Sequence, residues 1–533
     1  TFLGGCIIGW CAHGWALLYT ECFGAQIRLA MKSYLQRILT ASVYDVAEQT
    51  PLTRATNLSR RLNNEVLLKR EDMQPVFSFK IRGAYNKIAS LTEAQRERGV
   101  ICSSAGNHAQ GVALSAQKLG IKATIVMPRT TPSIKVDAVR NFGGRVVLHG
   151  DNYDAAKAHA EKLVDERGLT YIPPYDDADV IAGQGTVGME ILSQHPRPID
   201  AVFVPVGGGG LIAGIAAYIK QLRPDIKIIA VEPEDAPTLE RAMAAGKPVL
   251  LDEVGIFADG VAVRQIGEEP FRVVQDLVDE CLLVSTDEIC AGIKDIFEDT
   301  RTVMEPAGAL AVAGIKKYVA AHGVTGQTLV GINCGANMNF SRLAHVAERA
   351  ELGEQREAVL AVTIPERPGS FREFCETLGN RSITEFNYRY AHADTAHVFA
   401  GIGLNDGLDE RDEVVAALEA GGYDVMDLTD DEMSKVHVRH MVGGRGHNVD
   451  DEVLYHVRFP ERPGALLNFL KRLGRRWNIS LFHYRNHGAD YGRVLVGIQV
   501  PPEQREQFEQ SLDKLGYPYR NESDNPAYAL FLS

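Results

Sequence analysis

An α/β domain built on parallel sheet, followed by two α+β modules of the ferredoxin-like kind, is the fold class this sequence predicts. Three observations carry it. From about residue 45 to 345, short apolar β-branched runs alternate with segments of helical spacing, the pattern of a parallel sheet covered on both faces. A charged stretch, Glu348–Glu357 (ERAELGEQRE), closes that pattern. Beyond it Pro365–Gly369 (PERPG) returns as Pro460–Gly464, and Phe386–Arg389 (FNYR) returns as Phe482–Arg485 (FHYR), 95 and 96 residues on, which marks an internal repeat.

Taken in order, Glu65–Arg70, Val100–Ser104, Ala123–Met127, Arg145–Leu148, Ala201–Val206, Lys227–Val231 and Thr328–Cys334 read as strands. Ala84–Leu91, Asn107–Leu119, Tyr153–Arg167, Leu211–Leu222 and Asp287–Thr300 read as helices between them. Ligands of such sheets sit at the strand C-termini. Each repeat reads strand, Pro-Gly turn, helix, strand, strand, helix, strand, the split βαβ pattern. The expected domains are therefore 40–347, a connector 348–357, a module 358–432, a linker 433–451 containing Gly-rich Val442–Asn448, and a second module 452–533. Residues 1–39 form an extension; Thr1–Ala30 lacks the basic start and cleavage site of a signal peptide, and no role is assigned to it.

Composition narrows the partners. The chain has 533 residues, 45% hydrophobic and 23% charged, with a net charge of −13. That is an ordinary globular balance, and its sign argues against nucleic acid and against an anionic membrane surface. Eight cysteines, at 6, 11, 22, 102, 281, 290, 334 and 375, form no C-x-x-C pair. Neither a zinc site nor a disulfide framework is expected, which fits a reducing, cytoplasmic setting with no metal.

Four motifs point to one site. Ser78–Ala84 (SFKIRGA) places Lys80 at a helix start between apolar Phe79 and Ile81, where a desolvated, neutral amine can act as a Schiff-base nucleophile. Ser103, Ser104, Ala105, Gly106 and Asn107 follow a strand; small residues there let amides approach a ligand, although an N-cap with a glycine turn reads equally well. Gly207, Gly208, Gly209 and Gly210 lie between a strand and a helix beginning at Leu211, a nest of amides suited to a phosphate. No Lys-Ser/Thr follows them, and Glu232 only weakly imitates the acid of a dinucleotide fold. Asn333–Asn337 (NCGAN) closes another strand, with Cys334 either a weak donor to a ring nitrogen or a small core residue.

Together with EPAGA at 305–309 and the FNYR/FHYR pair, these motifs resemble the fold type II (tryptophan synthase β-like) pyridoxal-phosphate enzymes, and among them the biosynthetic threonine ammonia-lyases. The resemblance runs from about residue 40 to the C-terminus. It implies pyridoxal 5'-phosphate bound through Lys80, with Phe79 against the ring, Asn107 on the ring hydroxyl, Cys334 at the ring nitrogen, and Gly207–Gly210 with Leu211 on the phosphate. Ser103, Ser104, Ala105 and Gly106 would hold the substrate carboxylate, and Glu305 would orient the ring or a substrate group. Cys334 cannot keep the ring nitrogen protonated as an Asp would, which favours elimination over transamination or racemisation. The implied reaction turns L-threonine, and also L-serine, into a 2-oxo acid and ammonia; for threonine this is 2-oxobutanoate, on the route to isoleucine. The repeats resemble ACT-like regulatory domains, so isoleucine as inhibitor, valine as its antagonist and a homotetramer are expected. Phe386, Asn387, Tyr388, Phe482, His483 and Tyr484 are the effector candidates, with core aromatics as the rival reading. An L-serine dehydratase of the same fold is a rival that the duplicated C-terminal half disfavours. A non-catalytic amino-acid sensor is disfavoured by the intact Lys80, Asn107 and glycine loop, and a nicotinamide dehydrogenase by the loop spacing.

Overall fold

The computed structural model describes residues 34–131, 133–390, 394–405, 407–436, 438–440, 449–460, 465–473, 476–485 and 491–525. The chain divides into two compact units, residues 1–350 and 351–533. Most of the expected extension, the Gly-rich stretch at 442–448 and the second ERPG at 461–464 lie outside the described residues.

In the first unit the parallel strands are shared between two sheets. The larger runs Leu52–Arg54, Glu65–Arg70, Thr328–Asn333, Ala201–Pro205, Lys227–Pro233, Glu280–Val284, parallel throughout except for its first pair. The smaller is wholly parallel and runs Arg145–Leu148, Ala123–Met127, Val100–Ser103, Thr170–Tyr171. Ala201–Pro205 is buried at every position, as a strand covered on both faces must be. The helix Gly210–Leu222 is buried from Gly210 to Ile219, so its apolarity extends all round rather than along one stripe. The expected strands and helices are present with ends moved by a residue or two. The helix predicted from Ala84 begins four residues earlier, at Lys80 itself.

Two expected boundaries move. Tyr34 and Ile38, ahead of the expected domain start at 40, are buried in the first unit's core; a Cβ on Gly185 would meet the Ile38 side chain, so this turn is packed into the domain. The expected connector 348–357 is largely the end of a helix, Leu343–Gly353, and Glu357 opens the next strand.

The second unit follows the predicted pattern in both copies: strands Glu357–Pro365, Ile383–Arg389, Thr395–Gly403 and Asp424–Asp427, then Glu452–Pro460, Asn478–Arg485, Tyr491–Gln499 and Tyr519–Asn521, each set interleaved with two helices. The eight strands form a single antiparallel sheet, joined where Ile383–Arg389 pairs with Asn478–Arg485. Part of the expected linker is packed against this sheet, since Arg439 is buried and ion-paired with Glu357 and Glu385. No described helix is long and apolar enough to cross a membrane.

Candidate active site

Lys80 opens its helix with Phe79 as the preceding residue. The approach is fixed by backbone: Phe79 N–H donates to the Cys334 carbonyl (3.2 Å), Ala336 N–H to the Phe77 carbonyl (2.9 Å), and Ser78 bridges Gly335. These bonds join the SFKIRGA and NCGAN motifs, which are some 250 residues apart in sequence. The Lys80 amine donates to the Pro174 carbonyl at 3.2 Å and lies 5.1 Å from the Phe79 ring centre. Desolvation lowers it to about 8, against the opposing pull of Cys334 and Glu305. An amine at that value is neutral in part of the population near neutral pH, as a nucleophile or base must be.

Glu305 is buried and Asn107 donates to its Oε1 at 2.6 Å. Asn337 N–H donates to Oε2 at 3.1 Å, and the Asn337 amide donates to Asn107 Oδ1 at 2.7 Å. Burial, aided by the charge of Asp259, raises Glu305 to about 7. A cavity of about 130 Å³ adjoins this carboxyl, lined in part by Lys135, Asp259, Asn337 and Arg342. Cys334 is buried and donates to the Ala307 carbonyl at 3.3 Å; burial holds its thiol well above its usual range, which makes it a neutral weak donor and removes it as a nucleophile. His108, next to Asn107, is kept neutral by burial, which lowers it to about 3.

The residues present fit pyridoxal phosphate. In the glycine loop, a Cβ on Gly208 would collide with the Tyr175 ring, one on Gly207 would lie 2.7 Å from the Val261 carbonyl, and one on Gly210 3.0 Å from Tyr175. Gly209 has φ +86°, where L side chains are strained. The loop therefore needs glycine at Gly207, Gly208 and Gly209 and is tight at Gly210, and it delivers the free amides of a helix N-terminus. A Cβ on Gly106 would meet nothing within 4 Å, so that backbone borders open space. Ser103 carries a buried hydroxyl with no hydrogen-bond partner among the described residues, and the Gly106 N–H donates to Ser104 Oγ at 3.3 Å. Tyr175, Pro174 and Asn337 are the additions; only Asn337 lay inside a motif that sequence singled out. Glu232 is no nucleotide ligand here. It is buried and accepts from Thr238 Oγ1 and the N–H groups of Leu239 and Glu240 at 2.8–3.0 Å, so it caps the helix Thr238–Ala245.

In the second unit the six effector candidates face one another in register: Phe386 opposite Tyr484, Asn387 opposite His483, Tyr388 opposite Phe482. Phe386, Tyr388, Phe482 and Tyr484 are buried in one core, with the Phe386 and Phe482 rings edge to face at 5.3 Å. Asn387 is turned to other partners, donating to Glu385 and to the Arg439 carbonyl. Tyr388 donates to Glu366, which also accepts from Asn478 at 2.9 Å.

Residues 43–335 match the family model of the pyridoxal-phosphate dependent enzymes, and residues 348–438 and 443–532 match that of the C-terminal regulatory domain of threonine dehydratase. The chain is 57% identical to the biosynthetic L-threonine dehydratase IlvA of Burkholderia multivorans over 508 residues, 95% of this chain and 100% of that protein. It is also 57% identical to the Escherichia coli protein of that name, over 94% of this chain and 97% of that one. Among solved structures, the processed form of threonine deaminase isoform 2 from Solanum lycopersicum matches with a TM-score of 0.60 and 50% identity, covering 61% of this chain and 89% of that chain. Maize serine racemase matches with a TM-score of 0.55 and 33% identity, over 59% of this chain and 96% of that one.

Proposed function

The chain belongs to the biosynthetic threonine dehydratases, pyridoxal-phosphate dependent enzymes with a C-terminal regulatory domain, and from that we propose the roles of its residues. The protein deaminates L-threonine to 2-oxobutanoate and ammonia, the committed step toward isoleucine, with L-serine as a second substrate. The observation that carries the assignment of the site is Lys80, a lysine at a helix start lowered to about 8 by desolvation, whose amine donates to the Pro174 carbonyl next to Tyr175, the residue against the loop of four glycines.

When bound, the cofactor supplies the electron sink that makes the substrate's Cα–H acidic. Lys80 anchors it, and the same amine takes up the Cα proton at Nζ. The amides of Gly207–Gly210 and Leu211 hold its phosphate, and Phe79 packs against it. Asn107, oriented by Glu305 and Asn337, presents its amide to the ring. Cys334, neutral and engaged with Ala307, leaves the ring nitrogen without a carboxylate, which suits loss of the β-hydroxyl. Ser103, Ser104, Ala105 and Gly106 bind the substrate carboxylate, fixing which bond at Cα is aligned.

The second unit binds the effectors, with isoleucine inhibiting and valine opposing it. The effectors bind near the strand pair Ile383–Arg389 and Asn478–Arg485, where Phe386, Tyr388, Phe482 and Tyr484 fill the core on one face and Asn387 and His483 lie on the other. A homotetramer in the cytosol completes the reading. The test is 2-oxobutanoate release from L-threonine by the cofactor-loaded protein while isoleucine is titrated in. Turnover that falls sigmoidally supports both halves of the proposal. No 2-oxo acid from threonine overturns the first half, and turnover indifferent to isoleucine overturns the second.

A further inference from the structure

Two residues past Lys80, the same helix carries a charge that the chemistry above does not use. Arg82 is 0% exposed and its fork is fully engaged. Nε and Nη2 donate to the two oxygens of Glu71, each at 2.7 Å; Nη1 and Nη2 donate to the two oxygens of Glu190 at 2.6 and 3.0 Å. Thr186 Oγ1 and the Glu48 carbonyl take the remaining bonds at 3.1 Å. Buried Lys69 pairs with Glu190 and donates to the Thr50 carbonyl and Gln194. Two cations and two carboxylates thus close a cluster that spans the strand Glu65–Arg70, the helix Lys80–Ala89 and the helix Ala178–Gln194.

The two helices meet at glycines. A Cβ on Gly83 would lie 2.8 Å from the Val180 carbonyl, and one on Gly183 2.7 Å from the Arg82 carbonyl. The partner helix begins at Ala178, three residues past Tyr175; Pro174 accepts from the Lys80 amine and Tyr175 walls the glycine loop. A buried ion cluster contributes little net stability compared with apolar residues of the same volume, because desolvation offsets the attraction. What it supplies is fixed geometry, and the bidentate fork on both sides is the arginine feature a lysine cannot copy.

We propose that Arg82 is a positioning residue: clamped between Glu71 and Glu190, it sets the register of the helix Lys80–Ala89 so that the Lys80 amine stays on the Pro174 carbonyl and out of water. The inference rests on Lys80 as the cofactor lysine. Arg82→Lys keeps the charge and loses the fork; Asp295→Asn, which removes another buried carboxylate paired with Arg61 and Lys316 outside the site, is the control for lost stability. The first readout needs no cofactor. It is the pH midpoint of Lys80 acylation by trace acetic anhydride in the apoprotein, followed by peptide mass spectrometry. Cys334, Glu305 and His108, the titratable groups that interact with Lys80, are unchanged in both variants. In Arg82→Lys the midpoint rises from about 8 by about one pH unit as water reaches the amine, and kcat for the loaded enzyme falls about tenfold with KM within about twofold. Asp295→Asn melts at lower temperature with midpoint and kcat unchanged.

The proposal is overturned if folded Arg82→Lys keeps the wild-type midpoint and kcat, or if Asp295→Asn reproduces both changes. Should Arg82→Lys show no melting transition, Thr186→Val, which removes one bond from the fork, decides the matter. A fall in kcat of about threefold at unchanged KM supports the clamp, and wild-type kcat with a wild-type midpoint overturns it. If the wild type releases no 2-oxo acid from threonine, the functional reading fails, while the acylation midpoints still decide the role of Arg82.

Discussion

Lys80 at about 8 and Glu305 at about 7 are two groups of the site whose ionisation changes near neutrality, and both owe it first to burial. Lys80→Ala is expected to lower threonine turnover by about a thousandfold or more, since nucleophile and base are lost together; mass spectrometry after borohydride reduction should find no cofactor on the chain. Glu305 makes a stability prediction. Its folded value lies above the ordinary carboxyl value of 4.5, so its contribution is fully present below about 4.5 and is lost as pH rises through about 7. Glu305→Gln should therefore gain relative to wild type across that window, by up to about 3 kcal/mol, read as the difference in melting temperature against pH. Lys80, Asn107 and Cys334 stood out in the sequence because each sits in a contiguous motif, Lys80 at a helix start and the other two just past strand ends. Tyr175 and Pro174 were not, because an ordinary tyrosine and a backbone carbonyl acquire their roles only from where the chain places them. Glu232 shows the converse: a carboxylate near a strand's C-terminal end invites a ligand-binding reading, yet the N–H groups at a helix start use it first.

At the scale of elements, it is Tyr175 standing against the glycine loop that leaves no room for a side chain at Gly208. Gly208→Ala puts a methyl group into the Tyr175 ring and should weaken cofactor affinity about tenfold through the loop shift it forces. Adding Tyr175→Ala opens that space and should recover part of the loss, measured by absorbance titration of the cofactor. Strands such as Ala201–Pro205 and Ala123–Met127 could be read from sequence because runs buried on both faces are almost wholly apolar, with Thr124 the exception in these two. The helix Ala178–Gln194 was not predicted. Its Gly183, Gly185 and Gly188 look like breakers, whereas each lets the helix touch a neighbour: Gly183 meets Arg82 and Gly83, Gly185 meets Ile38 and Gly214, and Gly188 meets Ile215. Glu280–Val284 was missed for another reason, being a short edge strand that opens with Glu and Cys and is only partly buried.

On the scale of the whole molecule, the repeat was plain in the sequence and each module's order of elements followed from it, but the fusion of both modules into one sheet was not, since strand partners across a hundred residues leave no local mark. That seam carries an ion pair between the modules: Arg389 of the first holds Glu452 of the second, and both are more than nine-tenths buried. Arg389→Met leaves Glu452 without this arginine and should cost about 3–5 kcal/mol, seen as faster hydrogen exchange in Ile383–Arg389 and Asn478–Arg485. Pairing these two strands also uses up one edge of each module, and the outer edges that remain are the short strands Asp424–Asp427 and Tyr519–Asn521. A chain with a single module would carry that inner edge as a row of open amides and carbonyls, and would satisfy it by recruiting a twin. Tandem fusion makes the contact intramolecular: its stoichiometry is fixed at one to one, and dilution cannot separate the two halves.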